Sequence, residues 1–369
     1  MRQTKLHEWH VRAGARMLEF GGWDMPVLYA AGPREEHLRV RAAAGLFDID
    51  HMGRFEISGP GALGFLQRIQ TWDAAGLAAG HAHYSMLCME SGGIIDDIFL
   101  YRLAYRLADR WLMVVNASNA AKDLAWLQSH ATGFDVAIRD ISPETCMIAL
   151  QGPASRAILQ SLCSADLSSF AYHRVAECVV TGAAAVLCSS GYTGEPGFEM
   201  LLPAPGCEDL WEAILAAGSS AGLIPCGLAA RDSLRAEACL PLYGHEIDGQ
   251  TDPYSAGLAA AAVRLEGHDF IGKPSLARIA QAPLQRRLVG FEMIEPSVPR
   301  QGYAITAAGH PVGRVTTGLF SPSTGRYLGM GYVEETRAGI GQEVAIVIRD
   351  TPKAARIVGR PFYKSPNWR

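Results

Sequence analysis

The sequence predicts an α+β fold with mainly antiparallel sheets in its first 280 or so residues, followed by a small all-β domain. Helix-type and strand-type segments interleave in the first part without a regular βαβ repeat. Only short strand-type segments separated by turns come after it. The chain has 369 residues, of which 49% are hydrophobic, so it can bury a large core and divide into two or three domains.

Four helices are predicted in the first part from apolar residues at helical spacing and from local start signals. Two of them follow a Gly-Pro pair, at Gly59-Pro60 and Gly152-Pro153, because proline suits the first turn of a helix. The predicted helices span residues 35–44, 61–69, 120–130 and 154–162. Between them, apolar segments predict strands at residues 53–58, 95–103, 111–115 and 183–188.

The sequence pattern changes after residue 280, where only short strand candidates occur. Their close spacing is typical of a small all-β barrel or sandwich. Turn residues such as Ala308-Gly309 separate these candidates, which lie at residues 287–293, 302–307, 311–315, 328–333 and 343–349. We therefore expect a boundary near residues 278–287. Residues 1–280 would form two interleaved α+β subdomains, and residues 281–369 would form a β-barrel domain.

Charge and hydropathy exclude several classes of partner. The formal net charge is −4, the isoelectric point is near 6.3, and the basic residues are scattered. We therefore expect neither a nucleic acid nor a membrane as partner, because phosphate-tracking proteins cluster their basic residues. The apolar runs are far shorter than the roughly 20 residues that a bilayer-spanning helix needs. No apolar signal segment opens the chain, and patterned sequence begins at Leu6, so a cytoplasmic protein is expected.

The eight cysteines are predicted to be reduced and mostly buried. No two of them form a Cys-x-x-Cys pair, and several lie in apolar stretches, as Cys146 does before Met147. A zinc site would need closely spaced ligands, which this sequence does not provide. No metal site is therefore expected.

The first segment that could carry chemistry places two acids at the start of a strand, after the turn Gly92-Gly93. Side chains alternate along a strand, so Asp96 and Asp97 must face opposite sides of the sheet. Asp97 shares its face with Phe99 and Tyr101, which suits a flat polar ligand, and it is the better functional candidate. Alternatively, one aspartate caps the turn and the other faces solvent.

A second segment, residues 191–200, contains three glycines, which would allow backbone to approach a ligand closely. It lacks the Gly-Lys-Ser/Thr ending of a phosphate loop. Glu199 lies at the start of the following strand among apolar neighbours, where its carboxylate could accept two N–H bonds from a heterocycle. A hairpin loop with Glu195 and Glu199 exposed is the alternative.

A third segment is helical over residues 227–238 and places Arg231 and Arg235 four residues apart on one side. Its charged residues would equally suit a surface charge ladder. Asn116 follows the strand at 111–115, where an amide could serve a site or cap the next helix.

Taken together and in order, motifs along nearly the whole chain resemble those of the glycine cleavage system aminomethyltransferase (T-protein) family. The resemblance begins with His10-x-x-x-Gly14-Ala15-Arg16-Met17 and Phe20-Gly21-Gly22-Trp23-Asp24-Met25-Pro26. It continues through the following motifs: Phe47-Asp48-Ile49-Asp50-His51-Met52-Gly53, Gly92-Gly93-Ile94-Ile95-Asp96-Asp97, Leu150-Gln151-Gly152-Pro153, residues 191–199, residues 227–235, Leu242-Tyr243-Gly244-His245-Glu246, Phe270-Ile271-Gly272-Lys273, Thr316-Thr317-Gly318-x-x-Ser321-Pro322 and Pro361-Phe362-Tyr363-Lys364.

The resemblance implies a three-lobed fold that binds tetrahydrofolate in its central opening. By motif, Asp97 would be the catalytic residue beside the reactive pterin nitrogens, and Glu199 would hold the N–H groups of the pterin ring. Arg369 would reach the tail of the folate. The remaining cofactor-binding residues implied are Tyr84, Tyr101, Asn116, Tyr172, Tyr192 and Arg231.

The family reaction implies a tetrahydrofolate-dependent aminomethyltransferase. It would take the methylene carbon from an aminomethyl group on a lipoyl carrier (H) protein and release ammonia. The alternative is a tetrahydrofolate-dependent demethylase of a small methylated donor. Asp50 and Ser189-Ser190 depart from the usual family residues and would suit a reshaped substrate entrance. A folate-binding assembly factor is disfavoured, because its Lys-Gly-Cys-x-x-Gly-Gln-Glu signature is missing.

Overall fold

A computed structural model of the chain describes residues 1–103 and 110–367. In these ranges the helices are α1 (His7–Arg12), α2 (Gly32–Ala42), α3 (Ala62–Ile69), α4 (Ala120–Ser129), α5 (Ser155–Gln160), α6 (Cys207–Gly218), α7 (Leu228–Glu237), α8 (Ala259–Ala262) and α9 (Lys273–Gln281). Each of the four predicted helices is present, with ends shifted by up to three residues.

The strands in the described part of the chain pair mainly, but not entirely, in antiparallel fashion. They are β1 (Arg2–Gln3), β2 (Arg16–Phe20), β3 (Trp23–Leu28), β4 (Gly45–Asp48), β5 (Gly53–Ser58), β6 (His81–Cys88), β7 (Ile94–Leu103), β8 (Arg110–Val115), β9 (Ala137–Asp140), β10 (Thr145–Gln151), β11 (Val175–Val180), β12 (Ala183–Cys188), β13 (Gly197–Pro203), β14 (Ile224–Pro225), β15 (Arg286–Met293), β16 (Ala304–Ala307), β17 (His310–Phe320), β18 (Tyr327–Glu334), β19 (Glu343–Ile348) and β20 (Thr351–Val358).

These strands form four sheets. A six-stranded sheet has the order β11-β12-β13-β10-β4-β14, and a five-stranded sheet has the order β6-β7-β8-β5-β9. Strands β15-β18-β17-β16-β19-β20 close into a barrel, and β1-β3-β2 form a small sheet near the N-terminus. The predicted α+β class is therefore confirmed, and the choice between barrel and sandwich is settled as a barrel.

The five- and six-stranded sheets pack against each other through a shared apolar core. Tyr101 and Leu112 from the first sheet meet Phe47, Ala149 and Leu201 from the second. The other face of the five-stranded sheet packs on α3 and α4 through a separate core, which contains residues such as Ile98, Leu100 and Phe65. This arrangement brings β7, which carries Asp97, close to β13, which carries Glu199.

A buried polar network joins the first part of the chain to the barrel. Arg41 of α2 pairs with Glu195 at 3.2 Å and with Glu237, the last residue of α7, at 3.0 Å. Glu237 also accepts a hydrogen bond from Ser321 Oγ, 2.5 Å away, in the turn after β17. Arg235 pairs with Glu246 at 2.8 Å and donates to Thr317 Oγ1 of β17 at 3.0 Å. Charged side chains of α2 and α7 thus help to dock the barrel, beside a small apolar cluster in which Leu288 and Met330 of the barrel pack with Cys239.

The expectation of eight reduced cysteines is wrong for one pair. Cys146 on β10 and Cys207 at the start of α6 form a disulfide, with their Cα atoms 6.1 Å apart. The two are separated by 61 positions in the chain, and only the packing of α6 on the six-stranded sheet brings them together. The other six cysteines are free, and four of them are buried. Sequence spacing carried no signal for this pairing.

Helices long and apolar enough to span a bilayer are not found in residues 1–103 and 110–367. The same described residues contain no cluster of three or more His, Cys, Asp or Glu side chains that would hold a metal ion.

Candidate active site between two sheets

Asp97 is held by two hydrogen bonds on the face of β7 that looks towards the six-stranded sheet. Tyr84 Oη on the neighbouring strand donates to Asp97 Oδ2 at 3.0 Å. Asn116 Nδ2, just beyond β8, donates to Asp97 Oδ1 at 2.7 Å. Burial, and then the adjacent Asp96 carboxylate, raise the pKa of Asp97 to about 7. The carboxyl group is therefore poised between its neutral and charged forms at neutral pH.

Asp96 faces the opposite side of the sheet, as the alternation of strand side chains predicts, and it is fully buried. It accepts hydrogen bonds from Asn119 Nδ2 at 2.6 Å and from the backbone N–H of Asn116 at 3.0 Å. Asn116 Nδ2 also lies 2.9 Å from Asp96 Oδ1 and therefore bridges the two aspartates. Asp123 of α4 is a third buried acid beside Asp96, and burial raises its pKa to about 10.

Glu199 lies on β13, opposite Cys188 of β12 and Ala149 of β10. Ser190 Oγ donates to Glu199 Oε2 at 2.5 Å. No side chain in the described ranges donates to the second oxygen, Oε1. Because Ser190 occupies only Oε2, the other oxygen of Glu199, Oε1, is available to a hydrogen-bond donor of a ligand.

Arg231 and Tyr192 form the side of the site that lies towards α7. The guanidinium carbon of Arg231 is 4.8 Å from the centre of the Tyr192 ring, a cation–π contact. Arg231 Nη1 is buried and has no hydrogen-bond partner among the described residues. Burial lowers the pKa of Arg231, and the negative charge of Glu199 opposes this shift. A buried donor without a partner is costly, so the site favours a ligand that accepts a hydrogen bond there.

Tyr192 lies between Asp97 with its hydrogen-bond donors and Arg231, which interacts with Glu199. Its hydroxyl donates to the carbonyl oxygen of Pro241. Burial raises the pKa of Tyr192, Asp97 raises it further, and the positive charges of Arg235 and Arg231 oppose the rise. Tyr192 thus lies close enough to both Asp97 and Arg231 to interact electrostatically with each of them.

Tyr101 and Tyr172 lie on the Glu199 side of the candidate site. Tyr101 is 2% exposed and packs edge-on against Phe99, with ring centroids 5.4 Å apart. Burial, and then the charges of Cys188 and Glu199, raise the pKa of Tyr101 well above its usual value. Tyr172 is half exposed, and Glu199 likewise acts on its hydroxyl. Tyr172 therefore lies at the rim of the site, and Tyr101 lies deeper.

Two glycines of the 191–197 segment have a packing role, and the predicted approach of this backbone to a ligand stays a prediction. A side chain at Gly191 or Gly197 would collide with the side chain of Gln151. Gln151 is buried beneath this segment, where its Nε2 donates to the carbonyl oxygen of Ser190 at 3.0 Å and its Oε1 accepts from Thr193 Oγ1 at 2.9 Å. The segment is thus fixed to β10, and this fixes Ser190 beside Glu199.

Hydrogen bonds and electrostatic interactions link most of the predicted site residues to one another: Tyr84, Asp97, Tyr101, Asn116, Tyr172, Tyr192, Glu199 and Arg231. Arg369 lies outside the described residues. Sequence reasoning marked Ser190 only as a departure from the family pattern, and it missed Asn119 and Asp123 as neighbours of the site. Ser190 borders the glycine-rich segment and offered a weak signal. Asn119 and Asp123 lie on a different element from Asp96, and the sequence around them gives no indication that they are close to it.

Comparison with known proteins identifies the family and the fold of the chain. The sequence matches the GCVT N-terminal domain over residues 6–266 and the glycine cleavage T-protein C-terminal barrel domain over residues 286–364. The aminomethyltransferase of Symbiobacterium thermophilum is 47% identical over 375 residues, which cover 100% of this chain and 99% of the relative. The aminomethyltransferase of Desulforamulus reducens is 46% identical over 368 residues, which cover 99% of this chain and 98% of the relative.

Among solved structures, the chain resembles the glycine cleavage system aminomethyltransferase T from Bartonella henselae, with a TM-score of 0.92 and 36% identity over 99% of this chain and 98% of that one. These similarities define the class of protein as a one-carbon transferase. Within that class, the chain belongs to the glycine cleavage T-protein family of aminomethyltransferases. The predicted family, fold and activity are confirmed, and the demethylase alternative is not favoured.

Proposed function

We propose that this chain transfers the methylene carbon of an aminomethyl group, presented on the lipoyl arm of a carrier (H) protein, to tetrahydrofolate and releases ammonia. We also propose that residues 1–280 form the catalytic region and that residues 281–369 form a separate barrel domain. The relative from Bartonella henselae is described as part of the glycine cleavage system, and this supports a lipoyl carrier as the partner.

The observation that carries the proposal is the setting of Asp97. Its carboxyl group accepts from Tyr84 and Asn116, and its raised pKa of about 7 lets it hold either a charge or a proton near neutrality. In its charged form, Asp97 would stabilise positive charge that develops on a substrate amine beside it. Tyr84 and Asn116 would keep its two oxygens fixed, so that little reorganisation is needed during the reaction.

The residues on the opposite side of the site fit the pterin ring of tetrahydrofolate. Glu199 Oε1 is open to a ligand N–H, and Arg231 Nη1 is a buried donor without a partner among the described residues. A pterin carries both the N–H donors and the carbonyl acceptor that these two groups require. Tyr192 and Tyr101 supply aromatic surface between them. Tetrahydrofolate would supply the nitrogens that receive the one-carbon unit.

The test is a turnover assay with tetrahydrofolate and an aminomethylated lipoyl carrier protein, in which ammonia and methylene-tetrahydrofolate are measured together. We expect both products in equal amounts and with the same time course. Omission of tetrahydrofolate should prevent formation of the folate product. Tight binding of tetrahydrofolate without either product would contradict the proposed reaction while leaving the proposed ligand intact.

A further inference from the structure

Two free cysteines that have no role in the proposed reaction lie in contact on the six-stranded sheet. The Sγ atoms of Cys163 and Cys178 are 3.6 Å apart. Cys178 lies on β11, the outer strand of the sheet, and Cys163 lies in the segment after α5. The sulfur atoms of a disulfide are about 2.0 Å apart, so the two thiols have about 1.5 Å left to close.

The backbone around the pair holds both cysteines on one face of β11. Cys163 forms a bridge with Val180, and Cys178 lies two residues before Val180, on the same side of the strand. The two cysteines are therefore diagonal cross-strand neighbours. Two hydrogen bonds fix this pairing: Ser164 N–H donates to the carbonyl oxygen of Val179 at 2.9 Å, and Val179 N–H donates to Ser164 Oγ at 3.0 Å.

The pair combines a buried thiol with a partly exposed one. Cys163 is 9% exposed and belongs to the apolar core of the six-stranded sheet, whereas Cys178 is partly exposed at the edge of that core. A small oxidant can therefore reach Cys178 first, and Cys163 lies behind it as the second thiol. Burial, and then the neighbouring Cys163, raise the pKa of Cys178 to about 12, so the reacting thiolate is scarce at neutral pH and the reaction is slow.

We propose that Cys163 and Cys178 are a redox-active pair, which a small-molecule disulfide oxidises reversibly to a second disulfide of this chain. The thiolate of Cys178 attacks one sulfur of the small disulfide and releases one small thiol, which leaves a mixed disulfide. The thiolate of Cys163 then attacks the sulfur of Cys178 and releases the second small thiol. The two cysteine protons pass to the released thiolates, and the small disulfide takes up the two electrons.

The new bond would close a loop that contains Tyr172, at the rim of the candidate site. Cys163 and Cys178 are 15 positions apart in the chain, and a crosslink of this kind stabilises a fold mainly by restricting the unfolded chain. The bridge between Cys163 and Val180 already holds the two backbone segments together. We therefore expect the midpoint of thermal unfolding to rise by about 2–6 °C on oxidation.

The experiment incubates the full chain with oxidised glutathione at pH 8 and counts free thiols by alkylation after denaturation. The wild-type chain should fall from six free thiols to four, which is six less this pair. A peptide map without reductant should show Cys163 joined to Cys178, and dithiothreitol should release both thiols.

Two serine variants make the result specific to this pair. Cys178→Ser should keep its five free thiols and show no rise in the midpoint of unfolding. Cys239→Ser, which replaces another partly exposed free cysteine, is the matched control and should fall from five free thiols to three.

The inference would be overturned if the wild-type chain kept six free thiols, or if glutathione stayed attached to Cys178 as a stable mixed disulfide. A new bond that joined Cys163 or Cys178 to another cysteine, such as Cys146, would overturn it as well. If the oxidised chain unfolded at a lower temperature than the untreated one, the fold would oppose the bond, and the pair would be only a packing contact. None of these measurements requires folate or a carrier protein, so the proposed function stands or falls separately.

Discussion

Buried acids occur both at the barrel junction and at the candidate active site, but their electrostatic surroundings differ. At the junction, Glu237 accepts from Ser321, Ser323 and Arg41, and the hydrogen bonds and charge from His37 and the serines outweigh burial and lower its pKa to about 2. At the site, burial dominates and raises the pKa of Asp97 to about 7 and that of Asp123 to about 10.

The difference lies in the supply of donors and positive charge. Glu246 at the junction pairs with Arg235 at 2.8 Å and accepts from Thr316 Oγ1 at 2.7 Å. Asp96 and Asp97 share neutral amide donors, and Asp123, whose raised pKa keeps it protonated, has the Asp96 carboxyl group as its hydrogen-bonding neighbour. Acids that are fully paired hold domains together, whereas acids that are left with a deficit of positive charge are available for proton and charge chemistry.

The largest of the predicted effects is a loss of stability on substitution of Glu237 at the barrel junction. Glu237→Ala leaves Arg41 with one partner fewer and empties a fully buried acceptor site, so we expect a loss of about 3–5 kcal/mol in the free energy of unfolding. Urea unfolding at pH 7 would measure it. Glu35→Ala is the control, because it breaks an exposed pair with Arg39 and should cost about 0.3–0.5 kcal/mol.

The contribution of Glu237 to the free energy of unfolding should decrease as the pH falls. Because folding lowers the pKa of Glu237 to about 2, its stabilisation is fully present above about pH 4.5 and is lost as the pH falls towards 2. The difference between wild type and Glu237→Ala should therefore narrow in acid. A difference that stays constant from pH 5 to pH 2 would argue that packing, rather than charge, accounts for the loss.

Asp97→Asn should give the next largest effect, on activity rather than on stability. Asparagine keeps the shape but removes the charge, and we expect kcat to fall about 100- to 1000-fold. The folded protein should not lose stability, because the raised pKa of Asp97 means that the fold penalises its charged form. Rapid-quench turnover and thermal unfolding would measure the two quantities. Asp269→Asn, at an exposed ion pair with Arg68, is the control.

In the wild type, kcat/KM should rise with pH through about 7 as Asp97 loses its proton, and the Asp97→Asn variant should lack this step. Full turnover in Asp97→Asn would refute the proposed role of this residue.

Glu199→Gln should weaken tetrahydrofolate binding about 10- to 100-fold, because a charge-assisted acceptor becomes neutral. Ser190 would keep a hydrogen-bond partner at 199, so the fold should be retained. Equilibrium binding would measure the loss. Glu177→Gln, on the outer strand β11 and paired with Arg110, should bind as the wild type does. Unchanged binding by Glu199→Gln would place the pterin elsewhere.

The side of the sheet to which Asp97 points could be predicted from sequence, because side chains alternate along a strand. The structure confirms this, since Ile98 and Leu100 pack with α3 and α4 whereas Tyr101 packs between the sheets. The spacing of Arg231 and Arg235 on one helical side was also predictable. Their partners were not: Arg231 faces Tyr192, whereas Arg235 reaches Thr317 in the barrel.

What the sequence did not predict depends on contacts between distant segments. Asp50 was a candidate for reshaping the substrate entrance, but it is buried in an ion pair with Arg54 at 3.0 Å. Strand β20 was missed, because Asp350-Thr351-Pro352 has the composition of a turn, yet Thr351 already pairs with Ile348 in the barrel. Proline is tolerated there at the start of a strand.

The smallest effect is expected at Asp123, where a substitution should stabilise the protein. Folding raises the pKa of Asp123 to about 10, so unfolding releases its proton at neutral pH and stability falls as the pH rises from about 4 towards 10. Asp123→Asn removes this penalty and offers Asp96 a neutral donor. We expect a gain of roughly 1–2 kcal/mol at pH 8. Full uncoupled ionisation would give more, because each pKa unit between about 4 and pH 8 would contribute about 1.4 kcal/mol.

Thermal unfolding of Asp123→Asn and wild type at pH 5 and pH 8 would measure this gain, which should be larger at pH 8. Asp209→Asn on α6 provides the control, because it replaces an aspartate in the first turn of a helix outside the acid cluster. If Asp123→Asn destabilised the protein more at pH 8 than at pH 5, Asp123 would have to be ionised in the fold. In that case hydrogen-bond donors and positive charge would stabilise the ionised acids of the site, as they do at the junction. The electrostatic difference between the two regions would then not exist.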